Sequence, residues 1–237
     1  MTSNPLTPSQ LGVRPAPALV QQLLVGAFGW MFAGLLLSAG VAYLVGTNVQ
    51  LLQTISQWWF LLIIAQFALV MVISAGIRKL SATAALGLFF IYAASMGLTL
   101  GLIVSTYLVA EGGAASVTTA FLSASAMFGA AAIYGAVTKR DLSTMGRILF
   151  MGLIGLIVAS LLNLFLGSTG LTWLISIVGV VIFTGLTAWD VQRIQSGQLA
   201  AATGSMEKGA VIGALILYLD FVNIFLFLLR LFGGGRN

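Results

Sequence analysis

"AVIGALILYLDFVNIFLFLLRLF", residues 210–232, is the stretch that decides the fold. It runs 23 residues with only Asp220 and Arg230 charged, and about 20 apolar residues are enough to carry an α-helix across the hydrocarbon core of a bilayer. Six more apolar runs precede it, at about 22–45, 58–77, 83–108, 115–138, 148–167 and 171–193. If 210–232 crosses fully, the chain has seven spans. If it is re-entrant, the chain has six, with both ends on one side, and the unbroken length of the run favours seven. The run at 171–193 is rich in β-branched residues, but its length and its lack of period-two alternation predict a helix rather than a strand.

Composition sets the solvent. The chain has 237 residues, 60% of them hydrophobic and only 6% charged, with a mean hydropathy of +1.11. Soluble domains carry roughly a quarter charged residues, so this is the chain of an integral membrane protein with no room for a sizeable soluble domain. Cysteine and histidine are both absent. Their absence removes disulfides, thiolate metal sites, cysteine nucleophiles and the usual proton switch near neutral pH, and leaves any pH sensing to carboxylates.

All four prolines fall within residues 1–20, together with a single charge, Arg14. The segment reads as a disordered cytoplasmic tail, with one transmembrane domain over 21–237. It lacks the basic start, apolar stretch and cleavage site of a secretory signal, so the first span is expected to act as its own insertion signal. With the N-terminus inside, Arg14, Arg78, Lys79, Lys139, Arg140, Arg147, Arg193 and Lys208 all lie on the inner side, which is eight of the ten basic residues. That bias predicts an N-in, C-out protein of the plasma (inner) membrane. The net charge of +5 is thereby explained as topology, and no nucleic-acid partner is expected.

The 28 glycines suit membrane helices in close backbone contact. "GLTLG" (97–101), "SAMFG" (125–129) and "GAVIG" (209–213) have the small-xxx-small spacing and are expected to pack helices within the bundle. Gln66, Asn163 and Asn223 are neutral polar residues of the kind that joins membrane helices.

Two of the five acidic residues, Asp190 and Asp220, sit inside apolar runs. A charge at a helix centre costs about 2.5–3.5 kcal/mol on insertion scales, so each needs a partner or a purpose. Asp190 can pair locally with Arg193, and Asp220 can bond to a neighbouring backbone group or to Tyr218. Alternatively the two aspartates share a proton, since two carboxyls in a poorly hydrated pocket do not easily both ionise. Counted from the ends of their runs they lie about 6 and 15 Å deep, a mismatch of about 9 Å. Arg78 and Lys79 close the second run. Lys79 reads as an interfacial anchor, whereas Arg78 either anchors in the same way or turns inward to a carboxylate through a bidentate pair.

Four stretches carry a resemblance: "ASMGLTLGLI" (94–103), "YGAVTKRDLSTMG" (134–146), "FTGLTAWDVQRI" (183–194) and "ALILYLDFVNIFLFLLRLFG" (214–233). In them the chain resembles the bacterial branch of the Bax inhibitor family, over nearly its whole length after residue 20. The resemblance implies an all-α integral membrane fold of seven helices, with the seventh central and surrounded by the other six. It implies a pH-sensitive calcium leak, with Asp190 and Asp220 as the diaspartyl pH sensor and Arg78 as the helix-two latch of the closed state. The tyrosine usual before the helix-six aspartate is Trp189 here, so no hydroxyl role carries over to it.

Carboxylate oxygens are suitable hard ligands for calcium, although Asp190 and Asp220 alone make an incomplete site that needs carbonyls or water. Calcium is expected as the transported ion, with no cofactor. The expected partners are membrane lipid, calcium and, in a second reading, a membrane-bound quality-control protease that the protein regulates without ion flux of its own. An enzyme is not expected. Intramembrane aspartyl proteases carry Gly-x-Gly-Asp where this chain has "LYLD" (217–220), and their Pro-Ala-Leu motif cannot occur after residue 17. A rhomboid-type serine protease needs histidine, and a retinal protein needs a lysine inside the seventh helix.

Overall fold

A computed structural model describes residues 17–233. Arg14, Arg236 and residues 1–16 of the tail expectation lie outside the described residues. Within them the chain forms eight helices and no strand: α1 (Pro17–Gly46), α2 (Val49–Gly76), α3 (Ala82–Leu108), α4 (Gly113–Val137), α5 (Ser143–Leu166), α6 (Thr169–Gln195), α7 (Gln198–Thr203) and α8 (Met206–Gly233). All but α7 are long and apolar enough to cross a membrane. The seven-span reading therefore holds, and the final run is a continuous helix of 28 residues, about 42 Å long.

The boundaries differ from the hydropathy runs where polar residues are helical. Helix α1 begins at Pro17, inside the segment read as tail, and proline suits a first helical turn because no N–H is needed there. Helix α2 starts nine residues before the run at 58, capped by Asn48, whose Oδ1 accepts from the Leu51 N–H at 3.1 Å. In its polar first turns the hydroxyls are satisfied by the helix itself, Thr54 Oγ1 donating to Gln50 O at 2.9 Å and Ser56 Oγ to Gln53 O at 2.8 Å. Helix α7 was not anticipated. It is bounded by Gly197 and Gly204, with φ of 73° and 77°, and glycine takes that left-handed conformation at no steric cost.

The chain divides into two compact units, residues 17–101 with 192–217, and residues 102–191 with 218–233. In the first, Gly97 and Gly101 bring α3 against α1: a β-carbon at Gly97 would lie 2.7 Å from Ser38 O, and one at Gly101 would lie 2.7 Å from Val45 Cβ. "GLTLG" is thus a packing surface within the chain. "GAVIG" behaves similarly, with Gly209 against Ala200 and Gly213 against Ala27 and Ile194. Gln66 joins α2 to α3 by donating to Ser95 O at 2.9 Å and to Thr99 Oγ1 at 2.8 Å.

In the second unit, Phe121 and Phe128 of α4 meet Phe221 of α8 edge-on, at 5.8 and 5.6 Å between ring centroids. Such pairs contribute about 0.5–1.5 kcal/mol each beyond area burial. Asn163 closes the turn between α5 and α6, donating to Thr172 Oγ1 at 2.7 Å and accepting from the Ser168 N–H at 3.1 Å. Asn223 donates to Leu219 O of its own helix at 2.8 Å. "SAMFG" differs from the other two glycine patterns, since a β-carbon at Gly129 would meet nothing within 4 Å. Burial rises toward the end of the chain: 6% of the most apolar window of α5 is buried, 50% for α6 and 72% for α8.

Candidate functional site

Helix α6 carries Thr184, Thr187 and Asp190 at i, i+3 and i+6, which places them on one face. The side adjoining this face is committed to packing. Gly135 of α4 lies so close to Ala188 O that a β-carbon would collide with it, and Gly146 of α5 abuts the Trp189 ring in the same way. Ala188 also packs with Ala131 and Leu142, and Trp189 lies against this cluster. The indole of Trp189 is therefore a packing element between α6 and the start of α5. These contacts fix the rotation of α6 and so the direction of its polar face.

Helix α8 supplies the facing groups within the same unit. Gly179 meets the Phe227 ring. Eight residues further along α6 and seven back along α8, the Thr187 side chain comes within hydrogen-bonding reach of Asp220. The two helices are thus antiparallel neighbours in register at this level. Asp190 lies one turn from Thr187, about 4.5 Å along the axis, and is near enough to Asp220 for the two carboxyl groups to interact. The depth mismatch of about 9 Å counted from run ends is about one helical turn here, because Asp220 stands level with Thr187 rather than with Asp190.

Both carboxyl groups are enclosed. Asp190 and Asp220 are each 4% exposed, and Thr187 and Tyr218 are fully buried. The Thr187 hydroxyl donates to Phe183 O at 2.8 Å. While its one proton lies there Thr187 can accept from a protonated Asp220, and turned toward Asp220 the same hydroxyl can donate to the carboxylate. An ionised Asp220 would need the hydroxyl to rotate away from Phe183. Asp220 Oδ2 and Thr184 Oγ1 have no partner among the described residues although both are buried. A buried polar oxygen left so costs about 1–3 kcal/mol, and more if charged. The site therefore has two ways to be satisfied: a proton on Asp220 given to Thr187, or water or a cation brought to Oδ2.

No group of three or more His, Cys, Asp or Glu occurs among the described residues. Carboxylate and hydroxyl oxygens are ligands for hard cations, and two carboxylates with threonine oxygens suit transient contact with an ion better than a closed cage. Arg78 belongs to the first unit. Its Nε donates to Ala202 O of α7 at 3.0 Å, and the Lys208 ammonium donates to the Arg78 carbonyl at 3.2 Å. Helix α7, which has no counterpart in the sequence reading, is what receives the arginine.

Thr184 and Thr187, unlike the aspartates, carry no charge that marks them in an apolar run. The signal was the three-residue spacing leading to the aspartate in "TGLTAWD" (184–190).

A family model described as "Inhibitor of apoptosis-promoting Bax1" matches residues 20–237. The chain is similar to inner membrane protein YbhL of Escherichia coli K12, at 45% identity over 94% of this chain and 96% of that one. It is similar to a protein of Deinococcus radiodurans at 43% identity, covering 92% of each chain. Protein YrjE of Lactococcus lactis is 44% identical, covering 89% of this chain and 90% of its own.

Proposed function

The chain belongs to the Bax inhibitor family, and on that premise we propose that this multi-pass membrane protein is a pH-sensitive calcium leak gated by Asp190 and Asp220. The observation that carries the reading is the enclosure of both carboxyls, each 4% exposed, with Asp220 facing the Thr187 hydroxyl, which can accept from the acid or donate to the carboxylate. Such a pair responds to a single proton by changing its hydrogen bonding, which is how a carboxylate switch works without histidine.

In the protonated state Asp220 donates to Thr187, and the seam between α6 and α8 is closed by hydrogen bonds. Loss of the proton places two negative charges a turn apart in a poorly hydrated setting. Repulsion between them is then relieved by hydration, by a cation, or by movement of the helices. Calcium is the cargo, met by carboxylate and hydroxyl oxygens along the polar face. Arg78 is the latch that holds the closed state, a role in keeping with its position on the turn after α2. The protein lies in the inner membrane with its N-terminus inside and its C-terminus outside. The cationic segments support that orientation, and the name of the Escherichia coli relative supports that membrane.

Calcium flux into liposomes that contain the purified protein tests the proposal. Flux above that of protein-free liposomes is expected, and its absence at every pH would refute the leak.

A further inference from the structure

We propose that the cavity of about 310 Å³ at the end of α2 in the first unit, lined among others by Ser74, Ile77, Arg78, Arg193, Thr203 and Ile216, binds the phosphodiester headgroup of an anionic phospholipid. It shares Arg78 with the proposed leak but does not rest on it, because every lining residue belongs to the first unit and its test reads lipid rather than flux.

The charge of the cavity is one-sided. Its lining includes Arg78 and Arg193 and no acidic residue. Arg78 is held by its Nε on Ala202 O, which leaves the Nη groups for a ligand oxygen. The Lys208 ammonium, on the Arg78 carbonyl, adds a third cation beside it. Arg193 is half-buried and stands in the last turn of α6. Planar guanidinium groups match phosphate oxygens in bidentate geometry.

The other half of the lining is apolar. Ile77 and Leu199 are buried, while Ile212 and Ile216 are partly exposed. An inorganic anion would gain nothing from these side chains, whereas the glycerol and first methylenes of a lipid would. A volume of about 310 Å³ is at the small end of the range of about 300–1,000 Å³ for ligand sites. It admits a headgroup and leaves the acyl chains outside, where Met71 and Val72 of α2 are 65% and 51% exposed. The level is also correct. The cavity lies where α2 and α6 end and α8 begins, the depth at which basic pockets between spans meet lipid headgroups.

The full chain, stripped of lipid in a neutral detergent, is titrated with phosphatidylglycerol, phosphatidylcholine and inorganic phosphate, and bound ligand is read by native mass spectrometry. Phosphatidylglycerol should be retained over phosphatidylcholine. Arg78→Gln should lower that retention about tenfold, the worth of a lost charge-assisted pair, while Lys139→Gln in the loop after α4 leaves it unchanged. Retention equal to wild type in the Arg78 variant would overturn the site. Inorganic phosphate that competes as well as the lipid would make it a free-anion site and overturn the lipid assignment. If an arginine variant does not fold, the wild-type comparison decides, and no preference for phosphatidylglycerol over phosphatidylcholine defeats the proposal.

Discussion

Thr187 of α6 faces Asp220 of α8 with its hydroxyl proton already given to Phe183 O at 2.8 Å. The threonine is therefore a fixed acceptor when the carboxyl carries a proton and must rotate when it does not. A hydrogen bond between neutral groups is worth about 0.5–1.5 kcal/mol, and one pH unit corresponds to about 1.4 kcal/mol. Thr187→Val, which keeps the shape and removes the hydroxyl, is expected to move the pH midpoint of calcium flux by about one unit. Thr187→Ser should leave it near wild type. A valine variant with an unchanged midpoint would remove Thr187 from the switch.

Gly135 and Gly129 lie on the same helix and predict opposite outcomes. A β-carbon at Gly135 collides with Ala188 O, whereas one at Gly129 meets nothing within 4 Å. Gly135→Ala should destabilise the protein by about 1–3 kcal/mol, the usual cost of overpacking. Gly129→Ala should be neutral or stabilise by up to about 1 kcal/mol, because alanine is the better helix former. Thermal unfolding in detergent compares them directly. Equal melting temperatures for the two variants would contradict the packing of α4 on α6.

How far such features were legible from sequence depends on the residue. The seven spans were readable because a continuous apolar run has one solvent and one length scale, and Asp190 and Asp220 were readable because a charge inside such a run is costly. Thr187 was not, since a threonine in an apolar helix is ordinary until its neighbour across the seam is known. The register of α6 on α8 depends on the Gly179–Phe227 contact and on the rotation imposed by Gly135 and Gly146, none of which has a local signature. Helix α7 was missed although Gly197 and Gly204 bracket it, because six residues rich in alanine between glycines read as loop. Asn48 marked the start of α2, but the glutamines after it concealed the helix from a hydropathy reading.

Asp141 predicts an acid-sensitive helix start. It lies in the turn before α5 and accepts from the Ser143 N–H at 2.9 Å. Hydrogen bonding to Ser143, side chain first and backbone second, holds its carboxyl below the ordinary value of 3.8. A depressed folded pKa means that the contribution is present above the unfolded value and is lost as pH falls through the folded one. Amide exchange at residues 143–146, corrected for intrinsic rate, should therefore accelerate as pH falls below about 3.8. Asp141→Asn should show no such step, and an identical step in that variant would assign the effect elsewhere.

Gln66→Leu removes both bonds from α2 to α3. Hydrogen bonds between membrane helices average about 0.6 kcal/mol and reach about 1.7, so a modest loss of about 1 kcal/mol is expected. Thermal unfolding reads it. A loss several times larger would mean that Gln66 holds more than these two contacts.

The central claim is that one proton at the pair of Asp190 and Asp220 sets the calcium leak. Asparagine has the shape of the neutral acid and cannot lose the proton, so Asp190→Asn and Asp220→Asn test the claim most directly in liposome calcium flux measured across pH. Flux through the wild type should change with pH, while flux through each variant should be flat. Variants that retain the wild-type pH dependence would contradict the account.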